Sequence, residues 1–182
     1  MSIVKNRAVK QLLWVGIGSI SMFFAGLTSA FIVRKAEGNW IEFLLPDWFW
    51  YSTLIIFISS LLLIFAQQKM KRGKSIFKLM LTVFFLGLLF SFFQLNGWQS
   101  LTKQGIYLTG EGSNVAGSFL YILTLSHLVH LLGGLVALLV SSVNAKIGKY
   151  SAQSHLGLEL TCIYWHFLSV LWIYLFIFLK YL

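Results

Sequence analysis

Charged residues are scarce in this sequence of 182 residues: only 10% are Asp, Glu, Lys or Arg, while 58% are hydrophobic. A soluble domain carries about a quarter of its residues as charged ones, so this composition excludes an ordinary soluble fold. Acidic residues are scarcest, with five against fourteen Lys and Arg. Because the cations lie in short segments between apolar runs, we interpret the net charge of +9 as a topology signal. Nucleic acid is therefore not an expected partner.

Cysteine and proline each occur once. A lone Cys162 inside an apolar run excludes an internal disulfide, and core packing is its expected role. Pro46 precedes an apolar run, where its missing N–H costs nothing at a helix start. The sequence also lacks a Walker A motif, Gly-x-Ser-x-Gly, Cys-x-x-Cys and His-Glu-x-x-His. It therefore predicts no catalytic centre in this chain.

Five apolar runs are long enough to cross a bilayer, which takes about 20 helical residues. Helices are expected because lipid cannot satisfy free backbone groups. The first run follows a basic segment but is too long for a removable signal peptide. We predict an all-α, polytopic helix bundle forming one membrane domain over residues 1–182. The predicted transmembrane spans are 11–33, 48–66, 76–97, 115–141 and 159–179.

The basic residues are distributed unevenly between the two sides of these spans. The N-terminus and the connections after spans two and four hold ten of the fourteen Lys and Arg. Cytoplasmic loops carry the excess of Lys and Arg, so we predict a cytoplasmic N-terminus and a C-terminus outside. The other side holds four cations and four of the five acidic residues: Arg34, Lys35, Lys103 and Lys180, with Glu37, Glu42, Asp47 and Glu111.

Ionisable residues inside the membrane concentrate in the last two spans. His127 and His130 lie three apart in span four, which predicts that they share a helix face. Glu159 opens span five and His166 follows seven residues later, again on one face. His155 lies just outside that span. Such residues are costly in lipid, and each is therefore a functional hypothesis.

Three interpretations compete for these residues. His130 and His166 would reach a similar depth if spans four and five are antiparallel neighbours, which permits bis-histidine haem ligation. A metal site of His127, His130 and Glu159 is disfavoured, because Glu159 lies about 10 Å deeper by helix rise. Interhelical hydrogen bonds among His, Tyr and Ser are the interpretation that the residues alone favour.

Glu159 is a separate case, because it lies at the predicted start of a helix. A carboxylate there is favoured by the helix dipole. It has two further candidate partners, the lipid headgroups and the nearby Lys146 and Lys149.

Several motifs together resemble subunit III of haem-copper terminal oxidases, the cytochrome c oxidase family. The resemblance is strongest from Ser126 to the end of the chain. It covers a His-x-x-His run followed by glycine, a His-x-Gly-x-Glu element and a Tyr-Trp-His-Phe signature with a later tryptophan. The first span, with an arginine after it, is also similar. The residues concerned are Arg34, His127, His130, Gly133, His155, Glu159, Tyr164, Trp165, His166 and Trp172.

The resemblance implies the short, five-span form of a non-catalytic subunit in the cytoplasmic membrane of a bacterium. Such a subunit packs directly on catalytic subunit I, in a complex that includes subunit II and reduces oxygen to water. Haem and copper are then expected in the partner subunits and not in this chain. Bound phospholipid and support of proton uptake are also implied, and the signature residues would have structural or lipid-contacting roles.

Two positions depart from the family pattern. Many members carry Glu at the position of Ile20 and Asp at the position of Ser169. Their absence favours a scaffold that holds lipid and neighbours over one that relays protons. Glu159 is then the only carboxylate within the predicted spans.

Alternative functions remain open at this point. The first is a haem-bearing membrane anchor of a respiratory dehydrogenase or quinone reductase. A small transporter is disfavoured because the spans show no internal repeat. Glu37, Glu42, Asp47 and Glu111 suggest a docking field for cytochrome c or a quinol-oxidising partner complex, although ordinary loop solvation is favoured.

Overall fold

Five long helices form the protein in a computed structural model, which describes residues 3–38, 40, 43–110, 112–150 and 155–181. Within those ranges there is no strand. Each helix is long and apolar enough to cross a membrane, which confirms the predicted all-α membrane fold. The helices are α1 (Ile3–Ala36), α2 (Trp48–Lys71), α3 (Phe77–Lys103), α4 (Val115–Lys146) and α5 (Leu156–Tyr181).

The helices extend beyond the predicted spans at most of their ends. α2 and α4 continue to Lys71 and Lys146, five residues past the predicted ends at 66 and 141. Helical hydrogen bonding does not stop where the hydrocarbon stops, and cations in a last turn are favoured by the helix dipole. Basic residues assigned to loops by hydropathy therefore lie in final helical turns, and the connections are shorter than predicted.

Helices α2 to α5 close into a ring of four, because α5 packs against α2 as well as against α4. Hydrogen bonds show that α2 and α5 are antiparallel: Trp165 reaches Ser59, whereas Trp172 reaches Thr53. α1 runs parallel to α5, because Lys10 contacts Glu159 near their starts and Thr28 contacts Tyr174 towards their ends. We call the end where α1, α3 and α5 begin the N-terminal end of the bundle, and the opposite end the C-terminal end.

Two tryptophans fill the centre of the ring. Trp165 and Trp172 are fully buried and belong to the same apolar core as Phe90 and Met80. Trp165 enters between α3 and α4 because Gly87 makes room for it. A Cβ built on Gly87 would lie 2.7 Å from Cη2 of Trp165.

The first helix lies outside this ring and contacts only α4 and α5. A second apolar cluster joins the three helices, mostly towards the C-terminal end of the bundle. Its buried members are Phe24, Phe31, Leu123, Leu171, Leu175 and Phe178. Elsewhere α1 exposes large apolar side chains such as Met22, which is 77% exposed. Exposed apolar residues on the outer faces are what a lipid-solvated protein requires, because lipid tails are as apolar as leucine.

Candidate functional site

Polar side chains of α5 form hydrogen bonds with hydroxyl groups of α2. The Trp165 indole donates to Oγ of Ser59 over 3.0 Å, and the Trp172 indole donates to Oγ1 of Thr53 over 2.9 Å. Nδ1 of His166 lies 2.6 Å from Oγ of Ser60. Interhelical hydrogen bonding, the favoured interpretation of the sequence, is therefore present along this seam. Three of the signature residues take part in it.

A second set of polar contacts joins α4 to α5. The Tyr164 hydroxyl donates to the backbone carbonyl of His130 over 3.1 Å. Towards the N-terminal end, Ser141 and Thr161 share a buried hydrogen bond of 2.8 Å. Gly133 lies beside Tyr164, where a Cβ would be 3.7 Å from the hydroxyl, an ordinary contact distance. His130 thus contacts α5 through its backbone carbonyl, and Gly133 lies beside the same tyrosine.

His127 and His130 do not share a face, contrary to the prediction from their spacing. His127 is fully buried between Phe90 and Trp172, with ring centroids 5.9 and 5.1 Å away. His130 instead packs edge-on against Phe24 of α1, with ring centroids 5.8 Å apart. Three residues leave an offset of about 60° around a helix, which is enough to direct the two rings towards different neighbours.

The two histidines considered for haem point to different helices. α4 and α5 are antiparallel neighbours, as the haem interpretation requires. However, the His130 ring packs against Phe24 of α1, and its Nδ1 lies 2.7 Å from the backbone oxygen of Ser126, one turn earlier on α4. The His166 ring turns to Ser60 on α2. A haem between facing His rings is therefore not what this packing provides.

The residues proposed for a metal site are also separated. Across the described ranges, no three His, Cys, Asp or Glu side chains gather where they could hold a metal ion. His127 has no hydrogen-bond partner at either ring nitrogen, and its surroundings are aromatic. The chemistry available around His127 is therefore packing rather than ligation.

Glu159 finds a partner that its position in the sequence did not suggest. Its Oε1 lies 2.7 Å from Nζ of Lys10 on α1. The expected alternatives Lys146 and Lys149 form no ion pair with it, and Nζ of Lys146 lies over the Phe77 ring at 5.8 Å. Glu159 does lie in the first turn of α5, where the dipole favours a carboxylate.

The remaining signature residues lie at helix ends. His155 immediately precedes α5, and its carbonyl accepts the backbone N–H of Glu159 over 3.0 Å. Arg34, near the end of α1, pairs with Glu37 at 2.8 Å. Glu159 and His166 do not act together, because one contacts α1 and the other contacts α2.

Both positions that depart from the family pattern are used for packing. Ile20 packs against the cluster that joins α1 to α4 and α5. Ser169 is buried and donates to the backbone carbonyl of Trp165 over 2.9 Å. Neither position carries a carboxylate. In the described part of the chain, the ion pair between two helices is that of Lys10 with Glu159.

Several contributing residues escaped the sequence interpretation. The signature residues of α5 form hydrogen bonds with three hydroxyl residues of α2, which are Thr53, Ser59 and Ser60. The Tyr174 hydroxyl donates to Thr28 on α1. Hydroxyl residues inside an apolar run were the available signal. Their partners lie more than a hundred positions away, so the sequence did not identify the pairs.

These features define a class: a five-helix polytopic membrane protein in which most buried polar side chains join one helix to another. Residues 49–182 match the family described as "Cytochrome c oxidase subunit III". A "Probable cytochrome c oxidase subunit 3" of Nocardia farcinica is 28% identical, covering 93% of this chain and 84% of that protein. A "Cytochrome c oxidase subunit 3" of Synechocystis is 30% identical, covering 86% and 68%.

A third relative, "Cytochrome c oxidase subunit 3" of Thermostichus vulcanus, is 28% identical over 87% of this chain and 79% of its own length. The chain belongs to the cytochrome c oxidase subunit III family of the haem-copper oxidases. It is therefore a membrane-embedded subunit of an oxidoreductase complex of the respiratory chain. The alternative of a haem-bearing dehydrogenase anchor is not favoured.

Proposed function

We propose that this chain is a non-catalytic scaffold of a terminal oxidase. It packs beside catalytic subunit I in a complex with subunit II, and those partner subunits carry the haem and copper that reduce oxygen. The observation that carries the proposal is the divergence of His130 and His166 towards α1 and α2. Side chains committed to helix packing hold a bundle together and leave the redox chemistry to the partners.

Purification of the complex through a tag on this chain tests the proposal. We expect oxidase subunits I and II to co-purify, with a haem spectrum that His130→Ala and His166→Ala leave unchanged in amount per complex. The dissociated chain should show no haem absorbance. Haem bound stoichiometrically to the isolated chain and lost in either variant would overturn the proposal in favour of a haem-bearing anchor.

We further propose that the bundle binds phospholipid and supports proton uptake through its structure. Its lipid-facing surface is extensively apolar. Ile20 and Ser169 are not carboxylates, and the Glu159 carboxylate is paired with Lys10. These facts favour a structural role in proton uptake over a direct relay of protons. Glu159→Gln should therefore leave the pH profile of oxygen consumption unchanged. A shift of that profile would instead indicate a relay.

The proposed location is the cytoplasmic membrane of a bacterium, with the N-terminal end of the bundle inside. The support is the basic excess at that end, where Lys69, Lys71, Arg72 and Lys74 lie close together in sequence. Reporter fusions test the orientation. Alkaline phosphatase fused after Lys180 should be active and one fused within the 72–76 connection inactive, and the reverse pattern would contradict the assignment.

The acidic outer segments remain a candidate docking field for cytochrome c or a quinol-oxidising partner complex. Glu42 and Glu111 lie outside the described residues, and Glu37 is already paired with Arg34. Asp47, at the start of α2, carries no ion pair. Neutralising all four should leave the salt dependence of oxidation largely unchanged if loop solvation is their role, and should weaken it if they steer a partner.

A further inference from the structure

A pocket of about 460 Å³ opens at the N-terminal end of the ring of α2 to α5. Three of its lining residues lie at helix ends: Met70 in the last turn of α2, Ile76 just before α3 and Ala145 in the last turn of α4. Tyr150 also lines it, and a Cβ built on Gly157, in the first turn of α5, would lie 3.0 Å from the Tyr150 hydroxyl. All four helices of the ring therefore have an end at or beside this pocket, and its apolar lining belongs to the core of the ring.

The same backbone cap closes the two helices that end there. Gly73 follows α2 and Gly148 follows α4, and each has a φ of 70°, in the left-handed region that glycine adopts without strain. The next residue is a lysine in both cases, Lys74 and Lys149, and its backbone N–H donates to the carbonyl five residues earlier. This pattern is the Schellman motif. It fixes the backbone of Lys74, which lines the pocket, and of Lys149, which lies between two lining residues.

Seven exposed cations belong to the helix ends and connections around the pocket. We call them the cationic cluster, which consists of Lys69, Lys71, Arg72, Lys74, Lys78, Lys146 and Lys149. Nζ of Lys146 lies 5.8 Å from the centroid of the Phe77 ring, so the end of α4 is in contact with the start of α3. The described residues hold two ion pairs, and neither includes a member of the cluster.

The acidic residues of this chain are not available to neutralise the cluster. The chain has five, and Glu159, whose helix begins at this end, is paired with Lys10. The other four fall in sequence between α1 and α2 or between α3 and α4, which are the connections at the opposite end of the bundle. A second copy in the same membrane would present the same cations at this end. A partner that neutralises the cluster must therefore be a different molecule.

Two simpler explanations account for only part of the cluster. The helix dipole favours the three cations in the last turns of α2 and α4. However, Lys74 and Lys149 lie beyond those turns, and Lys78 lies in the first turn of α3, where the dipole disfavours a cation. Membrane topology requires basic residues on one side, but it does not require that two separate connections bring them together around an apolar pocket. This convergence favours a binding surface.

We propose that the pocket and the cationic cluster dock an acidic segment of a partner protein on the same side of the membrane. Carboxylates of the segment pair with Lys74 and Lys149, and one apolar side chain enters the pocket. A soluble anion would leave the apolar lining without a partner. Lipid headgroups surround a bundle at its sides, whereas this pocket lies over the end of its core. Complementary charge of this kind steers association and is screened by salt.

A zero-length cross-linking reagent tests the contact in intact membranes. A water-soluble carbodiimide activates a carboxylate, the lysine amine displaces the resulting urea, and the new amide joins side chains that were already paired. Mass spectrometry identifies the joined peptides. At low salt we expect Lys74 and Lys149 to be coupled to Asp or Glu of one partner protein, and we expect this coupling to be lost at high salt. Coupling of Lys10 to Glu159, whose charged atoms lie 2.7 Å apart, is the internal control at low salt.

Separate variants test the charge and the pocket. Lys74→Glu should abolish the coupling of Lys149, because the segment then meets a like charge, whereas Lys74→Arg keeps the charge and should preserve it. Lys103→Glu, at the opposite end, is the matched control and should change nothing. Ala145→Leu fills the pocket without altering a charge and should also reduce the coupling several-fold. The internal control should persist in every variant, which would show that the helices are correctly assembled.

The pattern of coupling decides the proposal. Coupling to defined carboxylates of one protein that responds to the variants in this way supports it. Coupling confined to this chain, or coupling that survives Lys74→Glu, overturns it. Phosphatidylglycerol that native mass spectrometry finds on the purified complex but not on its Lys74→Glu variant, without any protein coupling, would assign the cluster to lipid and would also overturn the proposal.

This docking contact goes beyond the proposed scaffold role, and the two can fail separately. Co-purification with haem-bearing subunits tests the scaffold role and does not depend on the coupling. A complex that contains the oxidase subunits but shows no coupling would refute the docking contact alone. A chain that purifies without oxidase subunits yet keeps the coupling would refute the scaffold role alone.

Discussion

Lys10 and Glu159 join the starts of the first and last helices through an ion pair with 2.7 Å between Nζ and Oε1. The apolar cluster that holds α1 lies mainly towards the other end of the bundle, around Phe24 and Phe31. The ion pair therefore supplies a polar attachment where apolar contacts are fewer. The hydrogen bond from the Tyr174 hydroxyl to Oγ1 of Thr28 is a second polar contact between these two helices.

Lys10→Met should destabilise the protein only slightly. Both side chains are more than a third exposed, so screening limits the coupling to less than about 1 kcal/mol. A double-mutant cycle with Glu159→Gln, followed by thermal unfolding in a neutral detergent, measures it. The coupling should shrink between low and high salt, and Lys71→Met at the same end should show none. A coupling that does not depend on salt would contradict the picture of an exposed pair.

The hydrogen bond between His166 and Ser60 should be worth a fraction of a kcal/mol. Interhelical hydrogen bonds in membrane proteins average about 0.6 kcal/mol, with a maximum of about 1.7. A cycle of His166→Ala with Ser60→Ala isolates the pair from the packing that each change also alters. Unfolding of each variant in mixed micelles is a suitable measurement. Independent, additive effects would show that the bond contributes nothing.

His127→Leu should leave stability unchanged or raise it. Both ring nitrogens of His127 are buried without a hydrogen-bond partner. The substitution therefore removes two polar atoms whose burial costs free energy and is not offset by a hydrogen bond. Leucine keeps an apolar contact with Phe90 and Trp172. Phe90→Leu serves as a comparison, because it removes ring contacts without removing a polar atom. A loss of more than about 2 kcal/mol in His127→Leu would reveal a bound water that satisfies the ring.

Gly87→Ala should destabilise the ring of four helices. The added Cβ would lie 2.6 Å from Cδ2 of Leu135 and 2.7 Å from the Trp165 ring, so the core must shift. Overpacking of this kind costs about 1–3 kcal/mol. Gly26→Ala is the matched control, because nothing lies within 4 Å of its Cβ and alanine is the better helix former. Equal thermal stability of the two variants would show that the core is loosely packed around Trp165.

Hydropathy was sufficient for the number and approximate position of the helices. The five runs are separated by clear polar segments, and lipid leaves no alternative to a helix. The helix ends were less predictable: α4 continues to Lys146 because a helix can extend beyond the hydrocarbon into water. The prediction from local spacing was also wrong for His127 and His130. An offset of about 60° around α4 is enough to place the two rings against different neighbouring helices.

The sequence by itself determined that this chain is a five-helix membrane protein and that His166 and Glu159 require polar partners, because both conclusions rest on the cost of polar groups in lipid. Only the tertiary structure decided which partners they have. Ser60 and Lys10 are separated from them by 106 and 149 positions, and no local pattern encodes such pairs. The ring of α2 to α5, with α1 against one side, is what brings them within hydrogen-bond distance.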